Sequence, residues 1–250
     1  MTVRTQMESG EQLLGTFVQL RDPTAAEFGG RLGLDFLCIE AEHSGHSTVS
    51  VQSMVSAAAL APAPALVRVA GGDPIVISAA LDAGAEGIIV PRIDTAAQAA
   101  AVAAWARYPP KGGRGLGPGR AAGFGATIPQ YLARANRELL VAIQVETAAA
   151  VDNLDALLAV DGIDMIFVGP GDLACSLGIA DMGGPEMQEI VASVLTRTAA
   201  AGRLRGVFAP TAAHARAWRE SGAELVILGS DLSWLAAGVS GAVAAARDAG

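Results

Sequence analysis

The sequence predicts a (β/α)8 TIM barrel, a parallel eight-stranded core in a single domain over residues 1–250. Three observations predict it. Eight short β-rich runs recur along the chain, and longer Ala-rich segments with helical spacing alternate with them, with no linker between. Reactive side chains also gather where those runs end, at the C-terminal mouth where such barrels keep their chemistry. An open doubly wound sheet shares the alternation, and counting strands does not separate the two.

In order, the strands are expected at 15–20 (GTFVQL), 35–40 (DFLCIE), 65–70 (ALVRVA) and 87–93 (GIIVPRI). The remaining four are expected at 139–146 (LLVAIQVE), 164–169 (DMIFVG), 204–209 (LRGVFA) and 225–230 (LVILGS). Segments such as TAAQAAAVAAWARY and TAAAVDNLDALLAV lie between them; each opens on a Thr suited to cap a helix and repeats apolar residues at helical spacing. One irregular stretch, RYPPKGGRGLGPGRAAGFGA at 107–126, breaks the pattern. Its glycines match neither a P-loop nor G-x-G-x-x-G, and it follows a helix rather than a strand. It reads as a shaped rim of the active site, with Arg114 and Arg120 ordering it or meeting anions.

Composition narrows the class of protein. The chain is 52% hydrophobic and 17% charged, which suits a compact enzyme and not a disordered chain. A net charge of −8 disfavours nucleic acid or an anionic membrane as the main partner. The opening MTVRTQMESGEQLLG lacks the apolar centre of a secretory signal, and Pro62, Pro64 and Arg68 interrupt the most apolar window. Cys38 and Cys175 make no disulfide framework or metal pattern, so a reduced, cytoplasmic protein is expected.

The strand ends carry the candidate chemistry. The second runs into Glu40, Glu42 and His43, the third holds Arg68, the fifth ends at Glu146, the sixth reaches Asp172 and the eighth ends at Asp231. Glu146 and Asp172, on consecutive strands, can share one hard cation such as Mg2+, Mn2+ or Co2+ and leave positions for water and substrate. Each can equally cap the helix that follows it. Arg68 interrupts an apolar strand, so it either meets a buried carboxylate or awaits an anionic ligand. His43 is the natural general base, since imidazole titrates near neutral pH. His46 reads as peripheral and His214 as an ordinary helix residue.

EAEH after a strand, VRV, LDAGAEGIIVP, RYPPKGGRGLG, IQVET and VGPGDLACSLG occur in this order, and over residues 10–235 the chain resembles the HpcH/HpaI aldolases. The resemblance implies reversible, metal-dependent cleavage of 4-hydroxy-2-oxo acids to pyruvate and an aldehyde through a metal-stabilised enolate. It implies Glu146 and Asp172 as metal ligands, Arg68 as the substrate-binding arginine, His43 as the base, and the Gly171 and Asp172 N–H groups, beside Gln144, at the pyruvate carboxylate. It further implies hexamers, trimers of dimers, whose last helix packs on a neighbouring subunit.

The chain departs from the pattern twice. Phe17 stands where relatives often have Trp, and Glu40 where they often have Asp, so either Glu40 or Asp82 is expected to orient His43. Glu42 is expected to support a metal-bound water. The only lysine, Lys111, lies on the irregular loop, which disfavours a Schiff-base mechanism. Leu116 and Phe208 are the expected selectivity residues, both uncharged, and predict small neutral aldehydes; Arg120 is the one basic residue considered for a second carboxylate. A citrate-synthase-like or oxaloacetate-decarboxylating reaction on the same site is the alternative enzyme, and a silent 2-oxo-acid-binding barrel the alternative outside catalysis.

Overall fold

The computed structural model describes residues 1–247. Its strands are β1 (Leu13–Val18), β2 (Phe36–Glu40), β3 (Ala65–Arg68), β4 (Gly87–Val90), β5 (Leu140–Val145), β6 (Met165–Val168), β7 (Leu204–Ala209) and β8 (Leu225–Ser230). They pair in sequence order, all parallel, and β8 closes onto β1. This is the (β/α)8 barrel, and the open sheet is excluded by the closure.

Among the described residues, twelve α-helices accompany the strands: α1 (Val3–Glu8), α2 (Pro23–Gly29), α3 (Thr48–Ala58), α4 (Pro74–Asp82), α5 (Ala96–Ala106) and α6 (Ile128–Glu138), then α7 (Ala148–Asp152), α8 (Leu154–Leu158), α9 (Pro170–Leu177), α10 (Pro185–Ala200), α11 (Ala212–Glu220) and α12 (Asp231–Arg247). The threonine caps behave as expected. Thr95 caps α5 in a reciprocal box with Gln98, and Thr147 accepts from the Ala150 N–H of α7. The segment 147–160 is two helices rather than one, since Asn153 leaves helical geometry between them.

Parallel strands covered on both faces produce the continuous apolar runs seen in the sequence. Outward residues such as Ile39, Val67, Ile88 and Val226 pack under the helices, against Met54, Leu81, Val102 and Val191. Inward residues, among them Phe36, Leu66, Ile89, Met165 and Phe167, fill the barrel, and Val3 and Met7 of α1 join them from the end where the strands begin. Gly15 is one place where size matters: a Cβ there would stand 2.5 Å from the Phe36 ring.

Five strands end earlier than predicted: β5 and β6 by one residue, β1, which also begins earlier at Leu13, by two, and β3 and β4 by two and three. β3 stops at Arg68, and β4 stops at Val90 because Arg92 turns the backbone to φ +58°. The irregular loop also lies elsewhere. Helices run back against the strands, so a loop that follows α5 sits where strands start, not where they end. Arg114 accordingly bonds Asp82 at the end of α4, at 2.6 Å, and Arg120 donates to the Ala83 carbonyl. Within one chain this loop is no rim of the C-terminal mouth.

The last helix behaves differently from the rest. No residue of α12 is buried, although Trp234 Nε1 donates to Thr16 Oγ1 at 3.2 Å. Asp231, expected among the reactive residues, instead accepts the N–H groups of Gln19 and Leu20 and pins the end of β1. Among the described residues no helix is long and apolar enough to cross a membrane.

Candidate active site

A cavity of about 220 Å3 opens at the C-terminal mouth, walled by Phe17, Glu40, Arg68, Gly171, Asp172 and Phe208 among others. Six of the sequence-predicted residues therefore meet in one space. The strands deliver them because residues two apart on a strand share a face: Glu40 stands beside Arg68 in the β2–β3 register, and Gln144 and Glu146 follow each other inward from β5.

Arg68 is the hub. Its Nε donates to Glu40 Oε2 at 2.6 Å, its Nη2 pairs with the same oxygen, and its Nη1 reaches Gln144 Oε1 at 3.5 Å. The guanidinium carbon lies 4.4 Å from the Phe17 ring centre, and Phe17 in turn packs on Phe208 at 5.8 Å. Of the two alternatives left open for Arg68, the buried carboxylate is therefore realised, in Glu40, which is wholly buried. The other is not thereby removed: a guanidinium carries five N–H donors, and Arg68 still borders the cavity.

The acids are less well served. Gln144 Nε2 donates to Glu146 Oε2, and the Arg92 N–H donates to Oε1 at 2.7 Å. Burial nevertheless pushes the Glu146 carboxyl above its ordinary range, and the charge of Asp172 adds to that push. Glu42 is raised in the same way, chiefly by burial and against the pull of Arg68, and its Oε2 is buried with no hydrogen bond.

These observations fit a hard divalent cation. Glu146 and Asp172 offer carboxylate oxygens with lone pairs to spare, they repel each other, and among the described residues no side-chain cation is hydrogen-bonded to either. Among the described residues no group of three or more His, Cys, Asp or Glu side chains forms a complete protein cage. The pair would leave most positions to water and substrate.

Beside them, Gly169 leads into Pro170 at the first position of α9. The N–H groups of Gly171 and Asp172 are in its first turn, where no helical carbonyl can accept them. A Cβ at Gly171 would meet nothing within 4 Å, so the approach is open, whereas one at Gly169 would stand 2.9 Å from Gln144 Nε2.

Several expected residues are placed differently. His43 lies on the loop after β2 with its ring half in solvent, and its only acid within 4 Å, among the described residues, is Glu42, at 3.6 Å from Nε2. Glu40 holds the backbone N–H of His43 at 3.0 Å, not the imidazole. Asp82 is bound to Arg114 at the opposite end of the barrel, and neither it nor Leu116 borders the cavity. Within one chain, then, neither candidate orients the ring. His46 bonds Ser50 and His214 bonds Thr211; neither borders the cavity, although His214 lines an adjoining one that shares Pro170, Gly171 and Phe208 with it.

Arg92 was not expected. Its backbone holds Glu146, and its side chain, 76% exposed, places Nε 3.6 Å from Glu42 Oε1. The signal was available, since Arg92 follows the apolar GIIV run at the end of the fourth strand, where the same rule found residues on other strands.

The sequence signature of the HpcH/HpaI aldolase/citrate lyase family matches residues 13–237. A hydroxypyruvate/pyruvate aldolase of Roseovarius nubinhibens is 37% identical, over 94% of this chain and 92% of that protein. A solved HpcH/HpaI aldolase/citrate lyase family structure from Burkholderia cenocepacia superposes with a TM-score of 0.92 and 37% identity, covering 98% of this chain and 99% of that one. A citrate synthase superposes with a TM-score of 0.90 and 26% identity, covering 98% and 97%.

Proposed function

Because the chain belongs to the HpcH/HpaI aldolase/citrate lyase family, we propose that it is a pyruvate aldolase, cleaving 4-hydroxy-2-oxo acids reversibly to pyruvate, or a close 2-oxo acid, and an aldehyde. One observation carries the reading: two mutually repelling carboxylates, Glu146 and Asp172, stand beside a buried arginine and the open N–H groups of α9. A bound divalent cation, Mg2+, Mn2+ or Co2+ held by Glu146 and Asp172, would supply positive charge where the substrate's 2-oxo group becomes electron-rich.

The chain's own residues do the rest. The N–H groups of Gly171 and Asp172 take the substrate carboxylate at the positive end of the helix. Arg68, braced by Glu40 and Gln144, turns its remaining N–H groups toward the C2 oxygen. His43 accepts the C4 hydroxyl proton as the C3–C4 bond breaks. The C4 carbonyl forms and the aldehyde leaves, while the electron pair of the broken bond stays with C3 and spreads onto the C2 oxygen. Glu42 steadies the imidazolium from 3.6 Å, and a proton returned to C3 completes pyruvate.

The solved citrate synthase favours a second reading, in which the same site joins or releases an oxo-acid partner. Pyruvate release from 4-hydroxy-2-oxo acids, measured against oxaloacetate decarboxylation, separates the two.

A homo-oligomer, hexameric and cytoplasmic, suits the exposed apolar residues Leu232, Trp234, Leu235, Val239 and Val243 of α12 and the free thiols of Cys38 and Cys175. If Asp82 and Leu116 act on this chemistry, they act on a neighbour's cavity.

An aldehyde panel with pyruvate on metal-reconstituted protein tests the reading. Chelation should abolish turnover and added Mn2+ or Mg2+ restore it, and His43→Ala should lose about 10^2- to 10^4-fold. Turnover that survives exhaustive EDTA treatment would remove the reading, and light scattering that returns a monomer would remove the assembly.

A further inference from the structure

Arg92 has two unusual properties at once. It is one of two non-glycine residues described with positive φ, a conformation that strains a side-chain-bearing residue. That turn aims its N–H at Glu146 Oε1, and its side chain, 76% exposed, stands beside Glu42, whose other oxygen lies 3.6 Å from His43 Nε2.

Two other cations at this end already have partners. Arg68 is bound to Glu40 and Gln144 beneath Phe17, and Arg21, on the loop after β1, donates to the Gly45 carbonyl at 3.3 Å. The Arg92 guanidinium makes no hydrogen bond among the described residues. Its Nε approaches Glu42 Oε1 only to 3.6 Å, an attraction of charge without a bond. Its planar fork of donors is therefore available, beside the loop that carries His43, where the departing aldehyde forms.

We propose that Arg92 selects for an aldehyde half that carries a negative charge, such as a carboxylate, by pairing with it at the mouth. This rests on the aldolase reading and deepens it, and it reverses the neutral preference expected from Leu116 and Phe208. Phe208 lines the cavity as an uncharged wall, Leu116 lies on the loop at the far end of the barrel, and Arg120 is turned there to Ala83.

Glyoxylate and glycolaldehyde test the proposal, since they are close in size and differ in charge. With pyruvate as the partner, the ratio of kcat/KM for glyoxylate to that for glycolaldehyde is compared in wild type, Arg92→Gly, Arg92→Asn and Arg92→Lys. Gly and Asn tolerate the left-handed backbone, so both variants remove the guanidinium while keeping the N–H on Glu146. The ratio should fall about tenfold or more in Gly and Asn, mostly through KM for glyoxylate, and Lys should retain part of it. A ratio within about twofold of wild type in both neutral variants would overturn the proposal. Exchange of the pyruvate methyl protons with D2O, followed by NMR, needs no aldehyde. Wild-type exchange with an unmoved ratio sinks Arg92 alone; absence of both exchange and product sinks the aldolase reading and Arg92 with it.

Discussion

Three arginines are buried in this barrel beside a carboxylate, and two of them, Arg107 and Arg68, stand at opposite ends. Arg107 is 2% exposed, and its Nη1 donates to the Asn136 and Leu139 carbonyls at 3.0 Å each, its Nη2 to the Gly162 carbonyl at 3.2 Å and to Asp164. Asp164 is completed by the Val141 N–H and by Arg4. Arg68, 9% exposed, has Glu40 in full but Gln144 only at 3.5 Å, and around it Glu42 keeps an oxygen with no hydrogen bond. The difference is one of saturation. A buried polar network whose donors are matched holds structure, whereas one left partly unmatched beside a cavity stores its unmet interactions for a ligand.

The sharpest way to break this comparison is at Glu146. Gln there keeps an acceptor for the Arg92 N–H and removes the charge that burial opposes. Activity should fall about 10^3-fold or more, equivalent to ~4 kcal/mol of barrier, while the melting temperature holds or rises. Steady-state kinetics and calorimetry on one preparation check both. Lost stability with retained turnover would make Glu146 a scaffold residue and end the distinction between the two networks.

Much of this site was legible because a barrel converts strand order into position. Glu40, Arg68 and Glu146 stand at or just past the ends of their strands and Asp172 opens the helix after β6, and parallel strands bring such ends together wherever the barrel closes. What an end residue bonds to was not legible: Glu40 could as well have faced an imidazole as the guanidinium that its neighbour in register presents. Nor did the apolar GIIV run reveal that the backbone would turn left-handed at Arg92. The placement of 107–126 was legible and misread, since a loop that follows a helix belongs where the strands begin. Leu116 was expected at the mouth by that one step; Asp82, expected there for a different reason, closes α4 and so lies where the strands begin.

In the matched Arg107–Asp164 network the expectation reverses. Arg107→Met leaves Asp164 buried without its main cation, in a site where burial already raises the carboxyl. The loss should be about 3 kcal/mol of stability, or ~6–12 °C in Tm. Turnover per folded molecule should stay within about twofold of wild type. Adding Asp164→Asn should recover part of the loss, because it removes the stranded charge. A large fall in kcat/KM at unchanged Tm would contradict the assignment of this network to structure.

Glu86 sharpens the comparison by separating a raised carboxyl from a site. It lies between α4 and β4, far from the cavity, and its Oε2 accepts the Val3 N–H at 2.8 Å. Burial raises it above its ordinary value of 4.5, against the pull of that N–H, the chain's amino terminus and Arg134, and with Glu138 adding to the rise. A carboxyl raised on folding favours the folded state most below the unfolded value, and that contribution is lost as pH climbs through the folded one. Glu86→Gln does not titrate, so its stability relative to wild type should improve as pH rises from about 4.5 toward 8. The gain should be under about 1 kcal/mol, or ~2–4 °C in Tm, with aldol turnover unchanged. Melting curves across that range check the sign. A relative stability that falls with rising pH would mean that the Val3 N–H and the nearby positive charges outweigh burial, and Glu86 would then belong with the saturated carboxylates.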